Sequence, residues 1–261
     1  MNAPQYQETA LSRLYAGKMD SGPAYIPILD EISTSLAFTP SQKARTILRS
    51  DSGFGSDANT NYALESGWQV LAKGKGGRRP QAFANQVSEK SWLDLGNNRW
   101  VAPAVKPPVL VRPTTCAVLR WLTPTAQLKF STVICSLKEW SLSDIIEHYD
   151  DRGACETEIQ ADKVGLRLEQ RRKKHLAAQE ALVCLTDLAH NLLAWTPVWM
   201  ALPPSLTSFG TLRLVEDVLC LQGRLVFSQN RLVEVQLNEL HPHAEVVADG
   251  LRNLLAHFGN P

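Results

Sequence analysis

No apolar run in this chain is long enough to cross a membrane, and the amino terminus, Met1-Asn-Ala-Pro-Gln-Tyr-Gln-Glu, lacks the basic-then-apolar order of a secretory signal. The five cysteines, Cys116, Cys135, Cys155, Cys184 and Cys220, are odd in number and none stands in a C-x-x-C pair. That excludes a disulfide scaffold and a structural zinc site, and fits a reducing, cytoplasmic setting. Net charge is also missing: the balance is +1, so any nucleic-acid footprint is a local patch and not a field over the whole surface. There is no internal repeat, no low-complexity segment and no recognisable helix-turn-helix. What is present is enough apolar material, 44% of 261 residues, for one large domain or one domain carrying an insertion. Charged residues make up 20%, which argues against global disorder.

Taken in order, the chain predicts an α/β fold. Residues 1–20 are polar. Gly22 to Leu36 carries Tyr25, Ile28, Leu29, Ile32 and Leu36 at helical spacing, with Pro23 suited to a first turn. Thr46-Ile-Leu, ending at Arg49-Ser-Asp51, reads as a short buried strand. A helix starting at Ser56 and a second strand, Trp68 to Ala72, follow; strand, helix, strand implies a parallel pair with a right-handed crossover. Asp51 then sits at the carboxyl end of its strand, where open α/β sheets place ligands.

Lys73-Gly-Lys-Gly-Gly-Arg-Arg-Pro80 is a basic, glycine-rich loop without the Gly-Lys-Ser/Thr spacing of a nucleotide-cradling loop. Lys73, Lys75, Arg78 and Arg79 are instead suited to contacting a phosphate backbone. Val109 to Arg112, Ala117 to Leu122 and Lys129 to Leu137 read as strands of a β-rich insertion. Ser143 reads as the cap of a helix that runs through His148 and Tyr149 and on toward Glu169. A second basic cluster, Arg171, Arg172, Lys173 and Lys174, precedes a helix striped by Leu182, Leu185, Leu188, Leu192 and Trp195, taken as core-facing. Pro203-Pro204 ends the helical block. A hairpin, Arg224–Phe227 with Arg231–Leu237, and a final amphipathic helix, Val246–Phe258, complete the chain. His241-Pro-His243 reads as a loop pair, Cys155 as a small buried residue, and Ser50 and Ser52 lack a nucleophile-elbow pattern.

The segment Tyr149-Asp-Asp-Arg-Gly-Ala-Cys-Glu-Thr-Glu-Ile-Gln-Ala-Asp-Lys163 organises the rest. Tyr149, Arg152, Glu156 and Lys163 follow one another at offsets of three, four and seven, the spacings that share one helical face. A carboxylate framed by Arg, Lys and Tyr suits a hard divalent ion and a phosphate. This Y-x(2)-R-x(3)-E-x(6)-K pattern resembles the signature around the last acidic residue of DDE transposases of the insertion-sequence-four type. Arg49-Ser-Asp-Ser-Gly-Phe54 is similar to the segment bearing that family's second catalytic Asp, and Leu176 to Trp195 to the helical run after the Glu.

The resemblance implies a ribonuclease-H-like core in which carboxylates hold Mg²⁺ (or Mn²⁺) against a scissile phosphate. It makes Asp51 and Glu156 catalytic and metal-binding, with Tyr149, Arg152 and Lys163 in support. It implies DNA at element ends and target as partner, no membrane, and a homodimer in a synaptic complex. On that pattern, 1–72 is a partial core, 73–140 the basic loop and insertion, 141–200 the helical part with Glu156, and 201–261 a hairpin and helix. The first Asp of the family lands on no residue: Asp20 has no apolar run before it and Asp30 lies inside a predicted helix. The expectation is therefore a chain lacking its amino-terminal part, with an unpaired sheet edge beside the Asp51 strand. Its competitors are a non-catalytic DNA-binding remnant and a nuclease of the same fold.

Overall fold

The computed structural model describes residues 2–3, 8–15, 20–151, 159–160 and 163–258. The chain opens with a short antiparallel pair, β1 (Asn2–Ala3) and β2 (Glu8–Thr9). It divides into two compact units, Gly17–Gly153 and a second built from Met1–Ala16 with Ala154–Pro261.

In the unit Gly17–Gly153, α1 (Tyr25–Ser35) buries Tyr25, Leu29 and Ile32, which stand four and three apart on one face, and Pro23 sits in the preceding turn. Thr39 begins α2 (Pro40–Arg45) through a capping box. Its side chain accepts from the Gln42 N–H, and the Gln42 side chain accepts from the Thr39 N–H at 2.8 Å. Strand β3 (Ile47–Ser50) follows, then α3 (Asp57–Glu65), capped by the Ser56 hydroxyl. The turn out of α3 needs Gly67, whose φ of 92° is open to glycine and strained for other residues. Strand β4 (Gln69–Lys73) then lies parallel to β3, with Ile47 opposite Gln69 and Ser50 opposite Ala72. Val70, Leu71 and Ala72 are all buried, as a strand covered on both faces requires.

After α4 (Arg79–Ala84) come four antiparallel strands, β5 (Leu93–Gly96), β6 (Arg99–Pro103), β7 (Thr115–Leu122) and β8 (Leu128–Cys135). They do not stand apart from the core. The sheet runs β3-β4-β8-β7-β6-β5, with β8 antiparallel to β4 and β3 at the edge. Helix α5 (Leu142–Asp150) covers the sheet with Ile145, Ile146 and Tyr149, packed among Leu71, Val101, Ala117, Leu119, Val133 and Cys135.

Several sequence expectations need correction here. Val109–Arg112 is not a strand: Pro107, Pro108 and Pro113 crowd it, and Arg112 spends its guanidinium on the carbonyls of Leu64 and Trp68. The hairpin β5–β6 was not expected; its turn at Asn97 and Asn98, both at positive φ, was the overlooked signal. The cap of α5 is Ser141, not Ser143, and it forms a capping box with Asp144.

In the second unit, α6 (Leu176–Trp199) is tied along its length to residues 8–13. Asn191 accepts from the Thr9 N–H (2.8 Å) and donates to the Thr9 carbonyl (2.9 Å). Ser12 donates to Asp187, and the Trp195 indole donates to Glu8. Helical turns Pro204–Thr207 and Thr211–Arg213 lead through a π turn, Leu214–Leu219, to a hairpin, β9 (Gly223–Ser228) with β10 (Arg231–Leu237), turned at Gln229 and Asn230. Helix α7 (Ala244–Phe258) closes an apolar cluster of Met200, Leu202, Leu206, Leu214, Val218 and Val247. The leucine stripe of α6 was expected in the core; Leu185, Leu188 and Leu192 are instead 63%, 52% and 43% exposed. Thr186 and His190 are the residues of this stretch that are buried.

Candidate active site at the Asp51 turn

Ser50, the last residue of β3, pairs with Ala72, so Asp51 leaves the sheet next to Lys73, the last residue of β4. Asp51 turns the chain at once. Its Oδ1 accepts the Gly53 N–H (2.9 Å) and its carbonyl accepts the Phe54 N–H (3.2 Å). The carboxylate is thereby held at a fixed height above the sheet edge and is partly exposed. Buried Asn59, in α3, donates to the carbonyls of Phe54 (3.1 Å) and Gly22 (3.0 Å), which pins the turn from below.

The basic loop crosses this turn at close range. The Lys75 N–H donates to the Gly55 carbonyl (2.8 Å), and a Cβ on Gly55 would fall 1.7 Å from the Lys73 carbonyl oxygen. Only glycine permits that crossing. Asp20 and Ser21 also pack here: a Cβ on Gly53 would lie 2.6 Å from Ser21 Oγ, and Asp20 Oδ2 is 3.9 Å from Lys75 Nζ. Sequence reasoning set Asp20 aside because it stands on no strand. Packing between segments remote in sequence brings it to this turn, and no local pattern signals that.

The four cations of the loop occupy different surroundings. Lys75 and Arg78 face solvent. Arg79 holds Asp57 at 2.8 Å, at the start of α3, and its guanidinium lies over the Phe83 ring; the Asp57 carboxylate is what raises the Arg79 pKa further. Lys73 lines a cleft of about 240 Å³ with Arg99, Tyr149 and Asp150, in which Arg99 and Asp150 pair at 2.6 Å.

Of the signature residues, Tyr149 lies in α5, 8% exposed, in the sheet-covering core. Arg152 and Glu156 lie outside the described residues, as does Cys155. Lys163, in the other unit, is helical and half-buried. The helix expected to reach Glu169 stops earlier: Leu166 is a turn and Arg167 has a left-handed φ of 52°. Arg171, Arg172, Lys173 and Lys174 are exposed in the irregular segment that precedes α6. His241 and His243 form a turn, with the His243 N–H donating to His241 Nδ1. Among the described residues no group of three His, Cys, Asp or Glu side chains gathers around one point.

A strand-end aspartate beside a basic loop is a common arrangement, and comparison with known proteins shows the family in which it occurs here. The family described as Transposase DDE domain group 1 matches residues 5–257. The chain belongs to this family. The match spans Asp51, the basic loop and the whole Tyr149–Lys163 segment. A mixed sheet with helices, as seen here, is consistent with the ribonuclease-H-like fold of a DDE transposase. A search of curated proteins returned no match. No helix among the described residues is long and apolar enough to cross a membrane.

Proposed function

We propose that this DDE transposase domain acts on DNA at the ends of an insertion-sequence-four type element, with Asp51 and Glu156 as carboxylate ligands of Mg²⁺ or Mn²⁺. The observation that carries the reading is Asp51 at the carboxyl end of β3, locked by the Gly53 N–H, in a chain matched by the family over residues 5–257. Oxygen donors of this kind suit a hard divalent ion. When bound, the ion supplies charge stabilisation at the scissile phosphate. The residues of the chain do the rest. Asp51, constrained by its own turn, offers a carboxylate without having to pay the entropy of ordering it. Lys75 and Arg78 are open to a phosphate backbone next to that carboxylate, so they would hold DNA in register. Arg171, Arg172, Lys173 and Lys174 are assigned to the same partner, Arg152 and Lys163 to charge support near Glu156, and Tyr149 to the packing of α5 on the sheet. The working form in this reading is a homodimer that holds two ends.

Manganese binding in the presence of element-end duplex, followed by the paramagnetic resonance of free Mn²⁺, tests the reading alongside strand cleavage on gels. Asp51→Asn keeps the acceptor for Gly53 and removes the charge. It and Glu156→Gln are each expected to weaken Mn²⁺ binding by about 10- to 100-fold or more, the scale on which even an outer partner of a metal ligand acts. With two of the family's three carboxylates assigned, cleavage by this chain is expected to be slow. Unchanged metal affinity in both variants would remove these residues from the site.

A further inference from the structure

Among the described residues β3 is the edge of its sheet, and it is only four residues long, so the sheet holds its backbone through β4 on one side. A short edge strand opens more readily than a central one. Yet Asp51 follows it directly, and a carboxylate can serve a metal only while the end of its strand stays in place. Two fastenings reach that end. Asn59 holds the Asp51 turn through the carbonyls of Phe54 and Gly22. The second is Arg49, two residues before Asp51. Arg49 stands opposite Leu71 in the parallel register, and Leu71 belongs to the cluster under α5 with Ile145, Ile146 and Tyr149. From there the Arg49 Nη1 donates to the His148 carbonyl at 2.8 Å. His148 lies in the last turn of α5, where carbonyls lack a partner within the helix and the helix dipole favours a cation. A second arginine meets the same helix end: Arg99, on β6, holds the Asp150 carboxylate at 2.6 Å. The two differ in what they fix. Arg99 reaches a side chain from a strand well along the sheet, in the order β3-β4-β8-β7-β6. Arg49 fixes helix main chain to the very strand that ends at Asp51.

We propose that Arg49 is a positioning residue for Asp51: by anchoring the edge strand to the end of α5, it holds the Asp51 carboxylate where a divalent ion can use it. The ion comes from the metal reading above, and the proposal rests on that reading to this extent. The anchoring itself stands on the geometry of β3 and α5 alone. Arg49 adds no ligand and acts through the strand. Without its donor, the bond from Asp51 to the Gly53 N–H survives only as a local turn at the end of a strand free to open. Loss of a group that orients a metal ligand from outside costs about 10- to 100-fold in metal affinity.

Amide hydrogen exchange of the metal-free chain and Mn²⁺ titration of the same chain, both without DNA, test it. Arg49→Met keeps the apolar stem and removes the donor, at a position that is already partly exposed. The Gly53 amide, which reports the Asp51 carboxylate directly, is expected to speed up by about tenfold more than the amides of β7. Mn²⁺ affinity is expected to fall by about tenfold or more. Arg49→Lys, which keeps a charged donor, is expected to recover most of both. Arg99→Met releases the other arginine from α5 and leaves β3 alone, so neither measurement is expected to move with it beyond a general loss of stability. Equal speeding of Gly53 and β7, wild-type Mn²⁺ affinity in Arg49→Met, or a loss as large in Arg99→Met would overturn the proposal. Asp51→Asn, titrated alongside, separates the two levels. If it weakens Mn²⁺ binding and Arg49→Met does not, the positioning role alone falls. If Asp51→Asn leaves Mn²⁺ binding unchanged, the metal reading fails and this role fails with it.

Discussion

At the scale of single residues, the site depends on a glycine more than on any polar contact. Replacing Gly55 by Ala would set a methyl carbon, fixed in place on its Cα, 1.7 Å from the Lys73 carbonyl oxygen, a backbone atom that cannot rotate away. Gly55→Ala is expected to cost at least about 3 kcal/mol in urea unfolding, the upper end for overpacked sites. Gly53→Ala meets the Ser21 hydroxyl at 2.6 Å, a side chain that can turn, and Asp51 Oδ1 at 3.2 Å, and is expected to cost well under half of that, about 1 kcal/mol. Equal losses for the two would mean that the crossing of the Asp51 turn and the basic loop is looser than described. The cysteines give a second check. Burial pushes the Cys116 thiol up to about 11 and raises Cys135 in the same direction, whereas Cys220 is exposed. With a disulfide reagent at about pH 8, near the ordinary thiol range, Cys220 is expected to react at once and Cys116 and Cys135 only on unfolding. Fast labelling of Cys116 in the folded chain would contradict the packing of β7 against its neighbours.

At the scale of elements, Asp144 ties the start of α5 to acid sensitivity. Its carboxyl accepts from the Ser141 hydroxyl and the Ser141 N–H, and these bonds hold its pKa below the usual value. The folded value is thus the lower one. The contribution to stability is complete above the unfolded carboxylate range and is lost as pH falls through the folded value. Between about pH 5 and pH 2 the thermal midpoint of the chain is expected to fall less steeply in Asp144→Asn than in the wild type. Identical slopes would take Asp144 out of the acid response. The same element shows what the sequence could convey. Its amphipathic run was plain, but two serines, Ser141 and Ser143, both precede an apolar stretch, and only the Asp at the third position after Ser141 selects between them. The β3-α3-β4 unit and its terminal Asp51 were legible because a strand end, a Ser cap and Gly67 each act locally. β5 and β6 escaped because neither carries a long apolar run and their pairing is set by β7. The α6 stripe was legible as one helical face but was assigned to the core, whereas Leu185, Leu188 and Leu192 are exposed: periodicity shows which residues share a face, not which face the rest of the domain covers. That choice was made by hydrogen bonds from residues 8–13, far away in sequence.

At the scale of the whole molecule, the nearly neutral balance of +1 makes the proposed DNA footprint a question of where the cations stand. One cluster belongs to each unit: the loop Lys73–Arg79 in one, and Arg171, Arg172, Lys173 and Lys174 in the other. The sequence counts four cations in each, but their surroundings differ. Arg79 is committed to Asp57 and Lys73 to the cleft beside Tyr149, which leaves in the loop the exposed Arg78 and the exposed Lys75, the latter 3.9 Å from Asp20, while all four of the second cluster are exposed. Each phosphate contact contributes about 0.9 to the slope of log affinity against log salt on duplex DNA. Neutralising Lys75 and Arg78 is therefore expected to lower the slope by up to about 1.8, and neutralising Arg171 to Lys174 by up to about 3.6. Arg79→Gln is expected to leave the slope unchanged and to lower stability instead, since Asp57 would lose its partner at the start of α3. Fluorescence anisotropy of a labelled duplex across a salt series measures all three. A loop variant with an unchanged slope would confine the footprint to the second cluster and separate DNA holding from the Asp51 turn, whereas a reduced slope in Arg79→Gln with stability intact would show that its bond to Asp57 opens when DNA binds.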